Sequence, residues 1–198
     1  MLNEILWYVQ AGFLSDHSLI SGISIWKEKL AEQVAIPGLD WSTDPTSAEL
    51  SDQSCLTRDG YIARPQTLIV DGKLESFSLS RYGAAKTGLK RAGNASQNFI
   101  VAPGTAKVED MIASVEHGLL LNRFSGGNPS AASDLTGVAK NSFIIEHGKV
   151  VYPVTETMIS TNIAKMLLNI EALSEIRQNQ GSHIMPWAKV SGATISGK

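Results

Sequence analysis

The chain has 198 residues, of which 43% are hydrophobic and 18% charged, with a net charge of −2 at pH 7. That length fits one domain, and folding it buries roughly 70% of the extended chain's surface, enough for a core without covalent staples. The charge supplies no general attraction to nucleic acid, which needs clustered Lys and Arg against phosphates.

Cys55 is the only cysteine, so there is no intramolecular disulfide and no cysteine cage for zinc, and a reducing compartment is the simpler reading. Residues 1–14 are apolar and aromatic (Leu6, Trp7, Tyr8, Val9, Phe13) with no polar face, and need a surface to cover them. Glu4 and Gln10 interrupt the run, no basic flank precedes it, and it is too short to span a bilayer. We therefore expect a cytoplasmic protein that does not engage membranes. Self-association through Leu6, Trp7, Tyr8 and Phe13 is expected.

Ser18–Ile25 alternates loosely around Gly22. Residues 35–54, rich in Pro, Asp, Ser and Thr, read as a long surface loop. Asp59-Gly60 and Asp71-Gly72 each lie between apolar residues and predict hairpin turns, because both turn positions favour positive φ. Pro65, which has no N–H to give a ladder, belongs at a strand edge.

A helix is predicted from a Ser80 cap to about Arg91, with Gly93 beyond it. The basic side chains of this stretch, Arg81, Lys86, Lys90 and Arg91, read as a solvated helix face. A second helix is predicted from Thr105, with Val108, Met111, Ile112 and Val115 at helical spacing and Gly118 as its stop. Residues 144–151 predict another hairpin around His147-Gly148. The longest helix is predicted from Ser160 or Thr161, with Ile163, Met166, Leu167, Ile170 and Leu173 on one stripe packed on the sheet of that hairpin. Hairpin-paired strands with interspersed helices predict an α+β fold with a largely antiparallel sheet in a single domain, 1–198.

Chemistry is sparse. His17, His117, His147 and His183 are far apart, and no H-E-x-x-H or H-E-x-x-x-H occurs, so no pair has zinc-ligand spacing on a helix. A site assembled from distant residues, such as His17, His183 and Asp16, remains an alternative that would make the chain a metal-dependent peptidase by itself. Cys55, near Asp52 and Arg58, has no sequence-adjacent His to act as base. Ser125-Gly126-Gly127 is not a nucleophile elbow, since Arg123 stands where the first glycine belongs. It reads either as a substrate-binding loop with accessible backbone amides or as a simple corner. Phosphate-binding glycine loops are absent, and Trp26, Trp41 and Trp187 do not interleave with basic residues.

The order of motifs carries further information. Ile20–Lys29 (I-S-G-I-S-I-W-K-E-K) comes first, then R-D-G-Y and I-V-D-G-K-L-E-S-F-S-L-S-R-Y-G-A-A-K-T-G-L. N-R-F-S-G-G, F-I-I-E-H-G-K-V-V-Y-P-V and N-I-A-K-M-L-L-N-I close the chain. Together, from about Phe13 to Ile195, they resemble the C-terminal domain of the TldD/PmbA family, long labelled modulators of DNA gyrase and read as subunits of metallopeptidase complexes. Charge and motifs give the gyrase label no support.

In the family's metal-bearing subunits H-E-x-x-x-H stands just upstream of the I-S-G-like segment. Here that stretch, Leu6 to Gly12, has neither His nor Glu, and Gln180 stands near the place of a C-terminal Cys. The resemblance is thus to the PmbA (TldE) type, without the family's N-terminal domain. It implies a non-catalytic subunit that holds no cofactor and pairs with a zinc-bearing TldD-type subunit, or with itself as a dimer, to take extended peptides for proteolysis. A non-enzymatic interaction module is the remaining alternative.

Overall fold

A computed structural model describes residues 1–197. Helix α1 (Leu2–Val9) runs into a π-helical turn over Gln10–Leu14, and the chain breaks at Ser15 before the short helix α2 (Asp16–Ile20). Ser15 has extended backbone, and its hydroxyl accepts the Ser18 amide at 3.3 Å, a capping contact that starts α2. The cover that residues 1–14 need comes from the chain itself. Ile5, Leu6, Val9 and Leu14 are fully buried, and Phe13 packs on Trp26 with ring centroids 5.1 Å apart. Of the four side chains expected to form an association surface, Leu6 and Phe13 are core and Trp7 alone is markedly exposed, at 40%.

Six strands form the central sheet: β1 (Trp41–Thr43), β2 (Gln66–Val70), β3 (Lys73–Leu74), β4 (Phe99–Val101), β11 (Ile170–Asn179) and β12 (His183–Val190). Their order is β11-β12-β4-β1-β2-β3. The expected loop over 35–54 is thereby corrected, because β1 lies in its middle, paired with both β2 and β4. Trp41 is fully buried there, between the turn formers Pro37-Gly38 and Asp44-Pro45. Three residues are too few for period-2 alternation to show in sequence. Pro65 sits one residue before β2, where its missing N–H costs no ladder bond.

Asp71-Gly72 closes β2–β3 with φ of +48° and +74°, the mirror-image turn that suits strand twist. Asp59-Gly60 makes a turn in which only Gly60 has positive φ, followed by a single bridge, Leu56 to Ile62, instead of a stranded hairpin. Helix α3 (Arg81–Thr87) has the expected Ser80 cap, which accepts the Tyr82 and Gly83 amides. It ends earlier than expected, because Gly88 at φ +73° supplies the left-handed residue before Gly93 is reached.

Helix α4 (Val108–Ala113) is also shorter than its pattern. Its cap position is Lys107, not Thr105, with no side-chain cap, and Gly118 falls inside a strand. That strand opens a long meander: β5 (His117–Leu120), β6 (Arg123–Gly126), β7 (Asp134–Lys140), β8 (Phe143–Glu146), β9 (Lys149–Pro153) and β10 (Met158–Asn162), with β13 (Thr194–Ser196) on β10. Two sheets result, β13-β10-β7-β6 and β5-β8-β9, but they share one register. His117 lies opposite Glu146 and Gly126 opposite Gly137, so both strands advance nine residues without a slip. At the bend Ser142 is fully buried; its hydroxyl donates to the Lys140 carbonyl at 2.8 Å and its own carbonyl accepts the Val154 amide at 2.9 Å.

Helix α5 (Ile163–Leu168) is capped by Asn162, and Asn169 ends it. Ile170 and Leu173, expected on its stripe, belong to β11 and are buried there by pairing with β12. The helix lies against α1 and β10, not against the β8–β9 hairpin. Its Ile163, Met166 and Leu167 join a core that gathers α1, α2 and both large sheets. The class is α+β with antiparallel pairing throughout the strand ladders except between β4 and β12. Among the described residues no helix is long and apolar enough to cross a membrane.

Candidate functional site

Because the meander's first strand has no outer partner, two open backbone edges result. Among the described residues β5 pairs only with β8, and β6 only with β7. Ser125 and Gly126 lie on the β6 edge and Gly127 leaves it, all three exposed. Phe124, buried, explains the glycines: its ring lies over the cross-strand pair Gly126 and Gly137, and a Cβ on Gly126 would meet ring carbons at 2.5 and 2.6 Å. From α1, the Tyr8 hydroxyl donates to the Gly127 carbonyl at 2.8 Å and fixes where the strand ends.

The β5 edge borders the larger feature, a groove of about 670 Å³. Its lining includes every residue from His117 to Asn122, together with α4, the C-terminal half of β12 and the first turn of α1. Successive strand residues point to opposite faces, so a cavity touched by all of them is bordered by the strand's edge. Leu119, Leu120 and Leu121 make the lining apolar on that side. Lys189 and Glu171 pair at 3.0 Å within it, and the Lys189 hydrogen bond holds the Glu171 carboxyl below its ordinary value. Sequence reading missed this groove because Gly118-Leu119-Leu120-Leu121 lacks strand alternation, and Gly118 resembled a helix stop.

The remaining sequence candidates scatter. On the π-helical turn the Gln10 amide donates to the Ser78 hydroxyl at 3.3 Å and the Ser96 carbonyl at 2.9 Å. With Leu6 and Val9 in the core, the stretch from Leu6 to Gly12 presents no imidazole, thiolate or carboxylate, so its residues do not fit a zinc ion. Beside it, burial raises the pKa of Glu4.

The Asp16 carboxylate is taken up by Ser80, accepting its amide at 2.9 Å and its hydroxyl. His17 is exposed on α2. His183 stacks on Phe99 with centroids 5.0 Å apart, and its Nδ1 is buried without a partner among the described residues. Burial lowers its pKa. Cys55 is exposed in the Leu56 segment. Among the described residues, no three His, Cys, Asp or Glu side chains gather as a metal ligand set. Arg91 covers the Tyr61 ring at 4.0 Å and Lys86 lies over Tyr82, which keeps the basic α3 region locally engaged.

Residues 1–197 match the model of the PmbA/TldA metallopeptidase C-terminal domain. The chain is 30% identical over 141 residues to the metalloprotease PmbA of Escherichia coli O157:H7, covering 68% of this chain and 31% of that protein. It is 28% identical over 167 residues to a metalloprotease of Methanothermobacter thermautotrophicus, covering 78% and 37% respectively. It thus spans about a third of the length of these curated relatives. Among solved structures, a candidate modulator of DNA gyrase from Bacteroides thetaiotaomicron superposes with a TM-score of 0.86 at 23% identity, covering 98% of this chain and 44% of that one. TldE from Thermococcus kodakarensis does so with 0.83 at 19%, covering 99% and 48%. At such identities these two likenesses concern the fold.

Proposed function

The chain belongs to the PmbA/TldD metallopeptidase family, and from that premise we propose that it serves as the subunit of a peptidase complex that does not hold the metal. The observation that carries this is the α1 region. Where metal-bearing members are expected to place H-E-x-x-x-H, this chain uses Leu6 and Val9 for its core and Gln10 to tie the turn to Ser78 and Ser96. A zinc-bearing subunit of the TldD type is the partner, and a pairing of two copies is the variant arrangement.

In this reading the groove beside β5 and the open edge of β6 receive an extended peptide. An added strand satisfies its backbone groups on the free edge, while alternate side chains enter the apolar lining. Ser125, Gly126 and Gly127 contribute backbone only, as residues without bulk on an open edge must. Water is excluded from that side, and the reacting groups come from the partner.

The test mixes the purified chain with a family member carrying H-E-x-x-x-H and follows cleavage of an unstructured peptide. Cleavage that needs both proteins is expected. Cleavage by this chain alone, sensitive to chelation, would overturn the reading and favour an independent enzyme. If the pair neither associates nor gains activity, the chain is an interaction module.

A further inference from the structure

Two histidines and a glutamate lie together at one end of the β5–β8–β9 sheet. Glu116 and His117 lead into β5, and His147 is the first residue of the turn between β8 and β9. Strand register sets His117 opposite Glu146, the neighbour of His147. The two imidazole centroids are 5.4 Å apart at an interplanar angle of 61°. Two imidazoles bound by their outer nitrogens to one tetrahedral zinc, with Zn–N of about 2.0 Å, have centroids roughly 5 Å apart. The observed separation meets that requirement.

A second feature points the same way. Nδ1 of His147 is hydrogen-bonded to Oε1 of Glu116. A carboxylate on the inner nitrogen of a histidine fixes its tautomer and leaves Nε2 for a metal. His117 makes no side-chain hydrogen bond among the described residues, so both of its nitrogens are unengaged.

The scaffold is also held firmly. The His147 amide donates to the Glu116 carbonyl at 2.8 Å and the Gly148 amide to the Val115 carbonyl at 2.9 Å. The turn sits so close to α4 that a Cβ on Gly148 would meet the Ala113 carbonyl oxygen at 2.6 Å. His147 itself is held at φ +48°.

We propose that His117 and His147 form an exchangeable binding site for a borderline divalent cation such as zinc or nickel, with Glu116 as a positioning residue. Two protein nitrogens leave the other coordination positions to water or to a donor on a molecule in the adjacent groove, whose lining includes Glu116 and His117. The site differs in place and in ligands from any on α1, and it does not depend on the peptidase reading.

Calorimetric titration of the untagged chain with zinc chloride tests it. One ion per chain is expected, with affinity reduced about tenfold or more in His117→Asn and His147→Asn and about tenfold in Glu116→Gln. Asparagine is chosen at 147 because it tolerates positive φ. His17→Asn and His183→Asn should bind as the parent does.

Glu116→Gln should also change the ring tautomer of His147 seen by nitrogen NMR, which loss of packing alone would not do. In the unaltered chain, sub-stoichiometric nickel should broaden the ring signals of His117 and His147 first, a readout independent of how any variant folds. Absence of saturable binding, binding indifferent to both substitutions, or first broadening at His17 or His183 would overturn the assignment.

Discussion

The Tyr8 hydroxyl donates to the Gly127 carbonyl at 2.8 Å, joining α1 to the end of the open strand β6 across 119 residues of sequence. The bond is solvent-facing, so its worth is at the low end for a hydrogen bond, and Tyr8→Phe should lower stability by only about 0.5–1 kcal/mol. Its local effect should be larger. Amide exchange at Ser125, Gly126 and Gly127 should accelerate in Tyr8→Phe while exchange within β7 stays as it was. Unchanged exchange at Ser125–Gly127 would mean that β6 is placed by its pairing with β7 and by Phe124, without the Tyr8 bond.

Leu167 is fully buried on α5, between α1 and β10. Leu167→Ala removes transfer energy and leaves a cavity, so it should cost about 2–5 kcal/mol, read as a shift in denaturant midpoint. A negligible shift would show that α5 is not packed in the isolated chain.

Gly83 has no room for a side chain, because a methyl group there would collide with the Asp16 carboxylate that holds Ser80. Gly83→Ala should therefore destabilise by about 1–3 kcal/mol, the usual range for overpacking, despite alanine's better helix propensity. Combining it with Asp16→Ala should cost less than the two changes added, since the pair share one contact. Strict additivity would separate the two residues energetically.

A pH dependence of definite sign is predicted for His183. Burial lowers its folded-state pKa below the ordinary 6.5, so the unfolded chain binds the proton more readily. The stability is complete above the unfolded value and declines as pH falls from about 6.5 to the folded-state value, below which this contribution is constant. His183→Phe keeps the stacking on Phe99 and removes the titration. Its denaturant midpoint should change less between about pH 7.5 and 5 than that of the parent chain, reflecting loss of this one linkage. Equal slopes in both proteins would count against a half-buried imidazole that resists protonation.

Local chemistry wrote much of this molecule in readable form. Asp71-Gly72 and His147-Gly148 could be recognised as turns because few residue pairs suit two successive positive φ values. Ser80 could be recognised as a cap because its hydroxyl serves amides two and three residues away. The α+β class and the family motifs followed from the order of such signals. Tertiary context decided the rest. Ile170 and Leu173 continue the α5 stripe at helical spacing, and only β12, distant in sequence, draws them into a strand. Trp41-Ser42-Thr43 is too short to show a period, and becomes a central strand because β2 and β4 pair with it from both sides. The groove exists because β5 lacks an outer neighbour, and the His117–His147 pair because cross-strand register brings the rings together. Sequence fixes interactions within a few residues, whereas an open edge or a shared register is a property of which distant segments meet.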